Sequence, residues 1–119
     1  MSRILFCEDD PAIHKLIRMA LRDSPHEVLM ASDGAEGLAI AKALKPTIVF
    51  SDVAMPIMDG FQLADAMRAD PELAGIPIVF ITASIQRADL EEAVRRGALR
   101  VIAKPFTVAQ LREIVAAVA

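Results

Sequence analysis

The sequence predicts an open α/β fold of five parallel strands, (βα)5, and three observations carry that reading. Five short apolar runs, too brief for helices and mostly apolar on both faces, recur along the chain as buried parallel strands do. The segments between them carry the helical spacing of elements that cover a sheet. The length of 119 residues suits one domain, 1–119, built of five such units, whereas a closed eightfold barrel takes roughly 250 residues.

Each unit has its own signals. The first run, Arg3 to Cys7, is followed by Asp10-Pro11, an N-cap acceptor ahead of a proline suited to the first helical position. Ile13, Leu16, Ile17, Ala20 and Leu21 then follow the i, i+3, i+4, i+7, i+8 pattern of an amphipathic helix. The second run, Glu27 to Ala31, ends in Ser32-Asp33-Gly34, which reads as turn and cap. The third, Thr47 to Ser51, leads to Asp59-Gly60, a turn and helix start. The fourth, Ile76 to Ile81, precedes a helix in which Glu91 and Glu92 stand four residues ahead of Arg95 and Arg96, with Gly97 as a left-handed stop. The fifth, Leu99 to Ala103, precedes Thr107, which caps a last helix whose apolar stripe is Leu111, Ile114, Val115 and Val118. Crossovers between parallel strands are right-handed, so the helices are expected on both faces of the sheet.

Composition narrows the function classes. Apolar residues make up 55% and charged residues 24%, and the mean hydropathy is +0.43; a disordered chain is excluded. A net charge of −3 without a basic stripe argues against direct binding of nucleic acid, so any effect on DNA is expected to be indirect. No apolar run approaches the ~18 residues of a membrane span. The stretch Ile4 to Cys7 is cut off by Glu8, Asp9 and Asp10, too soon for a signal peptide, and a cytoplasmic protein without a membrane partner is expected. A single cysteine, Cys7, excludes an intramolecular disulfide and a cysteine metal cage; beside Phe6 it reads as a small buried hydrophobe. His14 and His26 are expected at the surface, and Met55 and Met58 are expected to shape the loop after the third strand.

Ligands of open α/β sheets bind beyond the carboxyl ends of the strands. There the sequence places Glu8, Asp9 and Asp10 after the first strand, Asp52 after the third, Thr82 after the fourth, and Lys104-Pro105 after the fifth. Singly, each reads as a solvated loop residue, and capping already accounts for Asp10. Jointly, they bring carboxylates, a hydroxyl and an ammonium to one cleft. Crowded carboxylates repel, and a hard divalent cation relieves them. Oxygen donors without His or Cys suit Mg2+, which completes its shell with waters and phosphate oxygens. A phosphoryl partner follows. Lys104 would neutralise its charge, Thr82 would donate a hydrogen bond, and Asp52, at the end of the central strand, is the candidate nucleophile.

Four stretches occur in order: Ile4-Leu5-Phe6-Cys7-Glu8-Asp9-Asp10, Ser51-Asp52-Val53-Ala54-Met55-Pro56-Ile57-Met58-Asp59-Gly60, Val79-Phe80-Ile81-Thr82-Ala83, and Gly97-Ala98 leading to Ala103-Lys104-Pro105-Phe106. Together they resemble the receiver domain of bacterial two-component response regulators, of the single-domain, chemotaxis-regulator-like kind, over essentially the whole chain. The resemblance implies a flavodoxin-like sheet of order 2-1-3-4-5, Asp52 as phosphoacceptor, and Glu8 and Asp9 as the acidic pair holding Mg2+ with Asp52 and the Ala54 carbonyl. It implies catalytic roles for Thr82 and Lys104 and a cis Lys104-Pro105 bond, and it places Ala54 and Ser84 where phosphoryl lifetime varies within the family. The aromatic ring common three residues before the lysine is replaced by Val101, so the switch is expected to work through Thr82 and the loop after the fourth strand.

The function so implied is a phosphorylation-activated signalling switch. A sensor histidine kinase or a histidine phosphotransfer protein would donate the phosphoryl group. The surface of the fourth helix, fifth strand and fifth helix would then bind a downstream target protein, with a phosphorylation-dependent dimer among the compatible forms. Self-directed phosphotransfer and autodephosphorylation are expected, not turnover of a metabolite. Three rivals stand beside it. A Mg2+-dependent phosphatase would need a second acid and a cap. A receiver-fold module that is never phosphorylated would not need the full acid, threonine and lysine set. A flavin carrier would need an aromatic stacking residue and a phosphate loop after the first strand.

Overall fold

The computed structural model describes residues 2–83 and 86–119, and in it the five expected strands and five helices alternate without exception. They are β1 (Arg3–Cys7), α1 (Pro11–Ala20), β2 (Glu27–Ala31), α2 (Gly34–Leu44), β3 (Ile48–Asp52), α3 (Gly60–Ala69), β4 (Ile78–Thr82), α4 (Arg87–Arg95), β5 (Arg100–Ala103) and α5 (Val108–Val118). The strands form one parallel sheet of order β2-β1-β3-β4-β5. Ser84, singled out in the sequence, lies outside the described residues.

Side chains alternate across a strand, and that alternation divides the core in two. Ile4 and Phe6 of β1, with Ile48 and Phe50 of β3, face Ile17 of α1 and Leu111 and Val115 of α5. Leu5 and Cys7 of β1, with Val49 of β3, face Ala41 of α2, Leu63 and Met67 of α3 and Ala93 of α4. Phe6 and Phe50 are register partners on adjacent strands and stack with ring centroids 4.8 Å apart. All five residues of β3 are buried, as befits the middle strand of a sheet covered on both faces. Cys7 is buried in this packing, and burial pushes its thiol up to about 12, so it is an inert hydrophobe.

The helix starts follow the sequence closely. Asp10 accepts from Ala12 N–H with Pro11 behind it, Asp33 accepts from Glu36 N–H, and both Asp59 with Gln62 and Thr107 with Gln110 form reciprocal capping boxes. Gly97 ends α4 with φ 81°, as its position after Arg96 predicts. Among the described residues, no helix is long and apolar enough to cross a membrane.

Three strands start later than expected, and two of them also end one residue later. β3 begins at Ile48 and β5 at Arg100; β4 begins at Ile78, because Pro77 has no N–H for a ladder, although its carbonyl accepts from Val49 N–H at 3.0 Å. The shift matters at the other end. Asp52 and Thr82 are the last residues of their strands, not the first of their loops, and pair in register with Ile81 and Ala103. In α4 the expected Glu91–Arg95 pair does not form: Glu91 binds Arg87 at 3.1 Å, while Glu92 takes both Arg95 and Arg96. His26, expected at the surface, is half-buried, its Nδ1 accepting from Ser2 N–H at 3.2 Å.

Gly60 opens α3 directly against the end of β3, where an added Cβ would stand 2.4 Å from the Asp52 carbonyl oxygen; around Gly75 there is nothing within 4 Å. Gly60→Ala is therefore expected to lower stability by about 1–3 kcal/mol in urea unfolding, while Gly75→Ala leaves it within about 0.5 kcal/mol or raises it. Equal effects would show that the approach of α3 to β3 is not tight.

Candidate functional site at the carboxyl ends of the strands

The sheet order sets β1, β3, β4 and β5 side by side, so the residues at their carboxyl ends meet. Glu8 follows β1 directly and its N–H still joins the sheet, donating to the Ala31 carbonyl at 2.9 Å, which turns its side chain inward; the residue is 1% exposed. Asp52 ends β3 at 5% exposure, its Oδ1 accepting from Ala54 N–H at 3.3 Å. Lys104, after β5, reaches back across β4 and donates to Asp52 Oδ2 at the end of β3, two strand spacings away, at 2.7 Å and to Glu8 Oε1 after β1 at 2.9 Å. The Lys104-Pro105 bond is cis, as expected. Asp9 is exposed at the mouth, and one carboxylate oxygen from each of Glu8, Asp9 and Asp52 lies within 4.8 Å of the others. Asp10, as expected, turns aside to cap α1.

Three carboxylates against one ammonium leave the cluster short of positive charge. Burial pushes Glu8 up to about 7, helped by its contact with Asp52 and opposed by Lys104. Burial pulls the Lys104 ammonium down, but its hydrogen bonds to Asp52 and Glu8 outweigh that and hold it above the ordinary lysine value. Among the described residues, Glu8 Oε2 is buried without a hydrogen-bond partner. A buried carboxylate oxygen left unpaired, beside two further carboxylate donors and no nitrogen or sulfur ligand, fits a hard divalent cation. Glu8, Asp9 and Asp52 could hold a metal ion.

Several contacts at the site carry no sequence signal. His14, expected at the surface, is half-buried on α1; its ring Nε2 contacts the Glu8 carbonyl, while its backbone N–H makes the ordinary helical bond to the Asp10 carbonyl at 3.1 Å. One residue thus ties both neighbours of Asp9. A cleft of about 330 Å³ opens from Asp52, Thr82 and Lys104 onto Phe61 of α3, Ala93 of α4 and Val101 of β5. Phe61 packs edge-on against Phe80 of β4 at 5.1 Å and lies under the Arg96 guanidinium at 5.0 Å. Arg96 also binds Asp65 of α3 and Glu92 of α4, so the carboxyl end of α4 is fastened to α3. Only side chains brought together from distant segments could reveal this, since Phe61 and Arg96 are ordinary in their local patterns.

A sequence profile of the response regulator receiver domain matches residues 4–116. The chain belongs to that family. Among curated relatives it is similar to Protein PilH of Pseudomonas aeruginosa, 37% identical over 106 residues that cover 88% of this chain and 87% of that protein. It is also similar to the DNA-binding dual master transcriptional regulator RpaA of Synechocystis sp., 36% identical over 111 residues covering 93% of this chain and 46% of RpaA. The chain thus spans about half the length of several curated relatives it matches. Among solved structures, the chemotaxis response regulator CheY4 of Vibrio cholerae superimposes with a TM-score of 0.92 at 30% identity, over 100% of this chain and 99% of that one. The receiver domain of sensor histidine kinase PA1611 from Pseudomonas aeruginosa, described with a magnesium ion coordinated in its active site cleft, gives 0.87 at 27% identity, covering 98% and 96%. The receiver fold and its order 2-1-3-4-5 stand as the sequence predicted.

The raised Glu8 pKa makes receiver stability depend on pH with a definite sign. The folded chain holds this proton up to about 7, whereas the unfolded chain releases it near the ordinary glutamate value, about 4.3. The contribution is therefore full below that value and is lost as pH rises through about 7. Urea unfolding in chelator from pH 4.5 to 7.5 should show wild type losing on the order of 2 kcal/mol relative to Glu8→Gln. Parallel profiles would remove Glu8 as the buried proton carrier.

Proposed function

We propose that this receiver domain is a phosphorylation-activated switch in which Asp52 accepts a phosphoryl group from a phosphohistidine on a sensor histidine kinase or a histidine phosphotransfer protein. The observation that carries this reading is Lys104 bridging Asp52 and the buried Glu8 at 2.7 and 2.9 Å beside a third carboxylate. Glu8, Asp9 and Asp52, with the Ala54 carbonyl, would hold Mg2+, and the bound ion would offset the charge that gathers as acceptor and phosphoryl group meet. The receiver domain of PA1611, described with magnesium in its active site cleft, supports that choice of cation.

The chain's own groups divide the remaining work. An Asp52 carboxylate oxygen attacks phosphorus, a P–O bond forms, and the P–N bond to histidine breaks with its electron pair leaving on the ring nitrogen. The Lys104 ammonium, resting on Asp52 Oδ2 before transfer, is placed to follow the negative charge onto the phosphoryl oxygens. The Thr82 hydroxyl, at the end of β4 in the same cleft, donates to another phosphoryl oxygen. Drawing Thr82 inward is relayed to α4, which lines the same cleft through Ala93. Because Arg96 fastens the far end of α4 to α3, the movement is expected at the amino end of that helix. The cleft already connects Asp52 and Thr82 with Ala93 of α4 and Val101 of β5, so the face of α4, β5 and α5 is the surface offered to a downstream target protein or, in a phosphorylation-dependent dimer, to a second copy. Val101 has no ring to swing into this space. Water attack on phosphorus breaks the bond to Asp52, releases inorganic phosphate and returns the carboxylate, and the switch, to rest in the cytoplasm; residues 1–119 form the receiver unit that does this, with no metabolite as substrate.

Incubation with acetyl phosphate and Mg2+ should add about 80 Da, one phosphoryl group, to wild type and nothing to Asp52→Asn in intact-mass measurement. An adduct of equal yield in the variant would overturn the acceptor, and continuous release of phosphate from aryl phosphates over many turnovers would favour a phosphatase instead. In a Mg2+ titration followed by backbone amide resonances, Asp9→Ala should weaken binding at least tenfold. Unchanged affinity would take Asp9 off the ligand set.

A further inference from the structure

The loop between β3 and α3 turns on Ile57, a residue poorly suited to the task. Its φ is 68°, and Met58 N–H donates to the Pro56 carbonyl at 2.7 Å, closing a three-residue turn with Ile57 at the apex. The positive-φ form of that turn is rare and strained, and a β-branched residue at positive φ is an outlier. Ile57 is also 82% exposed, so no burial within the chain offsets the strain. The turn is held from both sides. Gly34 N–H donates to the Met58 carbonyl at 3.0 Å, and a Cβ on Gly34 would stand 2.4 Å from that oxygen. On the other side Val53 N–H continues the ladder to the Ile81 carbonyl at 3.0 Å. A single exposed apolar residue is ordinary, but one held at a strained backbone angle by a clamped loop points to a functional use, and for a large apolar side chain in solvent that use is contact with another molecule.

Position identifies the molecule. Ile57 stands on the loop that leaves Asp52 directly, so a protein that brings a phosphohistidine to Asp52 meets this loop. Several exposed positions at this edge of the sheet are uncharged as well, Pro11 at the start of α1, Ala54 and Pro56 on the same loop, Ala83 after β4 and Pro105 after Lys104, while the exposed acids there are Asp9 and Asp10 beside the site itself. We propose that Ile57 is the apolar anchor by which this receiver docks its phosphohistidine-bearing partner protein, seating in an apolar recess beside the phosphohistidine. The proposal rests on the reading of Asp52 as acceptor. It adds that the strain at Ile57 serves recognition of the protein donor and not the chemistry of transfer.

The test separates protein donors from a small one. A panel of phosphorylated sensor-kinase and histidine phosphotransfer domains is assayed against wild type, Ile57→Asn, Ile57→Gly and Ile57→Leu, with acetyl phosphate as the small donor and thermal unfolding in parallel. Ile57→Asn and Ile57→Gly should lose about tenfold in transfer rate from the fastest protein donor, keep the wild-type rate with acetyl phosphate, and melt a few degrees higher, on the order of 3–5 °C, as the strain is relieved. Ile57→Leu, still large and apolar, should keep most of the transfer rate. A panel in which no protein donor favours wild type over Ile57→Asn overturns the proposal, as does an equal loss with acetyl phosphate; a lower melting temperature in both polar and glycine variants overturns the strain. Absence of any adduct from acetyl phosphate in all four proteins overturns the acceptor reading itself.

Discussion

Two buried carboxylates share one ammonium at the carboxyl ends of the strands, and the rest of the site is arranged around that shortage of positive charge. Glu8 and Asp52 both contact Lys104, Asp9 stands at the mouth, and one oxygen of Glu8 is buried without a partner among the described residues. In a low-dielectric setting such a cluster persists only with a proton, a cation or both. The raised Glu8 pKa is the proton's answer, and the geometry of three carboxylates is the cation's. A site poised between these occupants is sensitive to any further charge brought to it.

The scaffold makes that tension tolerable by keeping it at one edge of a well-packed core. Phe6, Phe50 and the aliphatic residues of β1, β3 and β4 are fully or nearly fully buried on the face covered by α1 and α5. The acids are the first residues past that packing. Asp52 and Thr82 are carried by ladder positions, so their backbones are held by the sheet while their side chains face the cleft. The fastening of α4 to α3 by Arg96, which lies over Phe61 and binds Asp65, gives any movement of α4 a fixed end.

Strain and recognition meet on the loop after β3. That loop carries Ala54, whose N–H binds Asp52, and three residues later it carries an exposed isoleucine at positive φ. A glycine or asparagine would make the turn more easily. The same short segment therefore orients Asp52 from within and offers an apolar surface without, and the two roles are separable because they use different residues.

Much was legible in the sequence because it depends on local rules. Strand runs, helix stripes, the caps at Asp10, Asp33, Asp59 and Thr107 and the stop at Gly97 are decided by neighbours a few residues away, and all appear in the structure. The gathering of Glu8, Asp9, Asp52, Thr82 and Lys104 was legible for a related reason: strands in a parallel sheet end at the same edge, whichever residues they carry. What depended on distant segments was hidden. His14 tying the Glu8 carbonyl, Arg96 choosing Asp65 over a solvated face, and the left-handed turn at Ile57 arise from contacts or constraints that no local pattern contains. The sequence by itself determined which elements form and which chemistry sits at their ends. Only the tertiary structure decided how burial distributes charge among those groups, since a pKa or a strained turn depends on what packs around it.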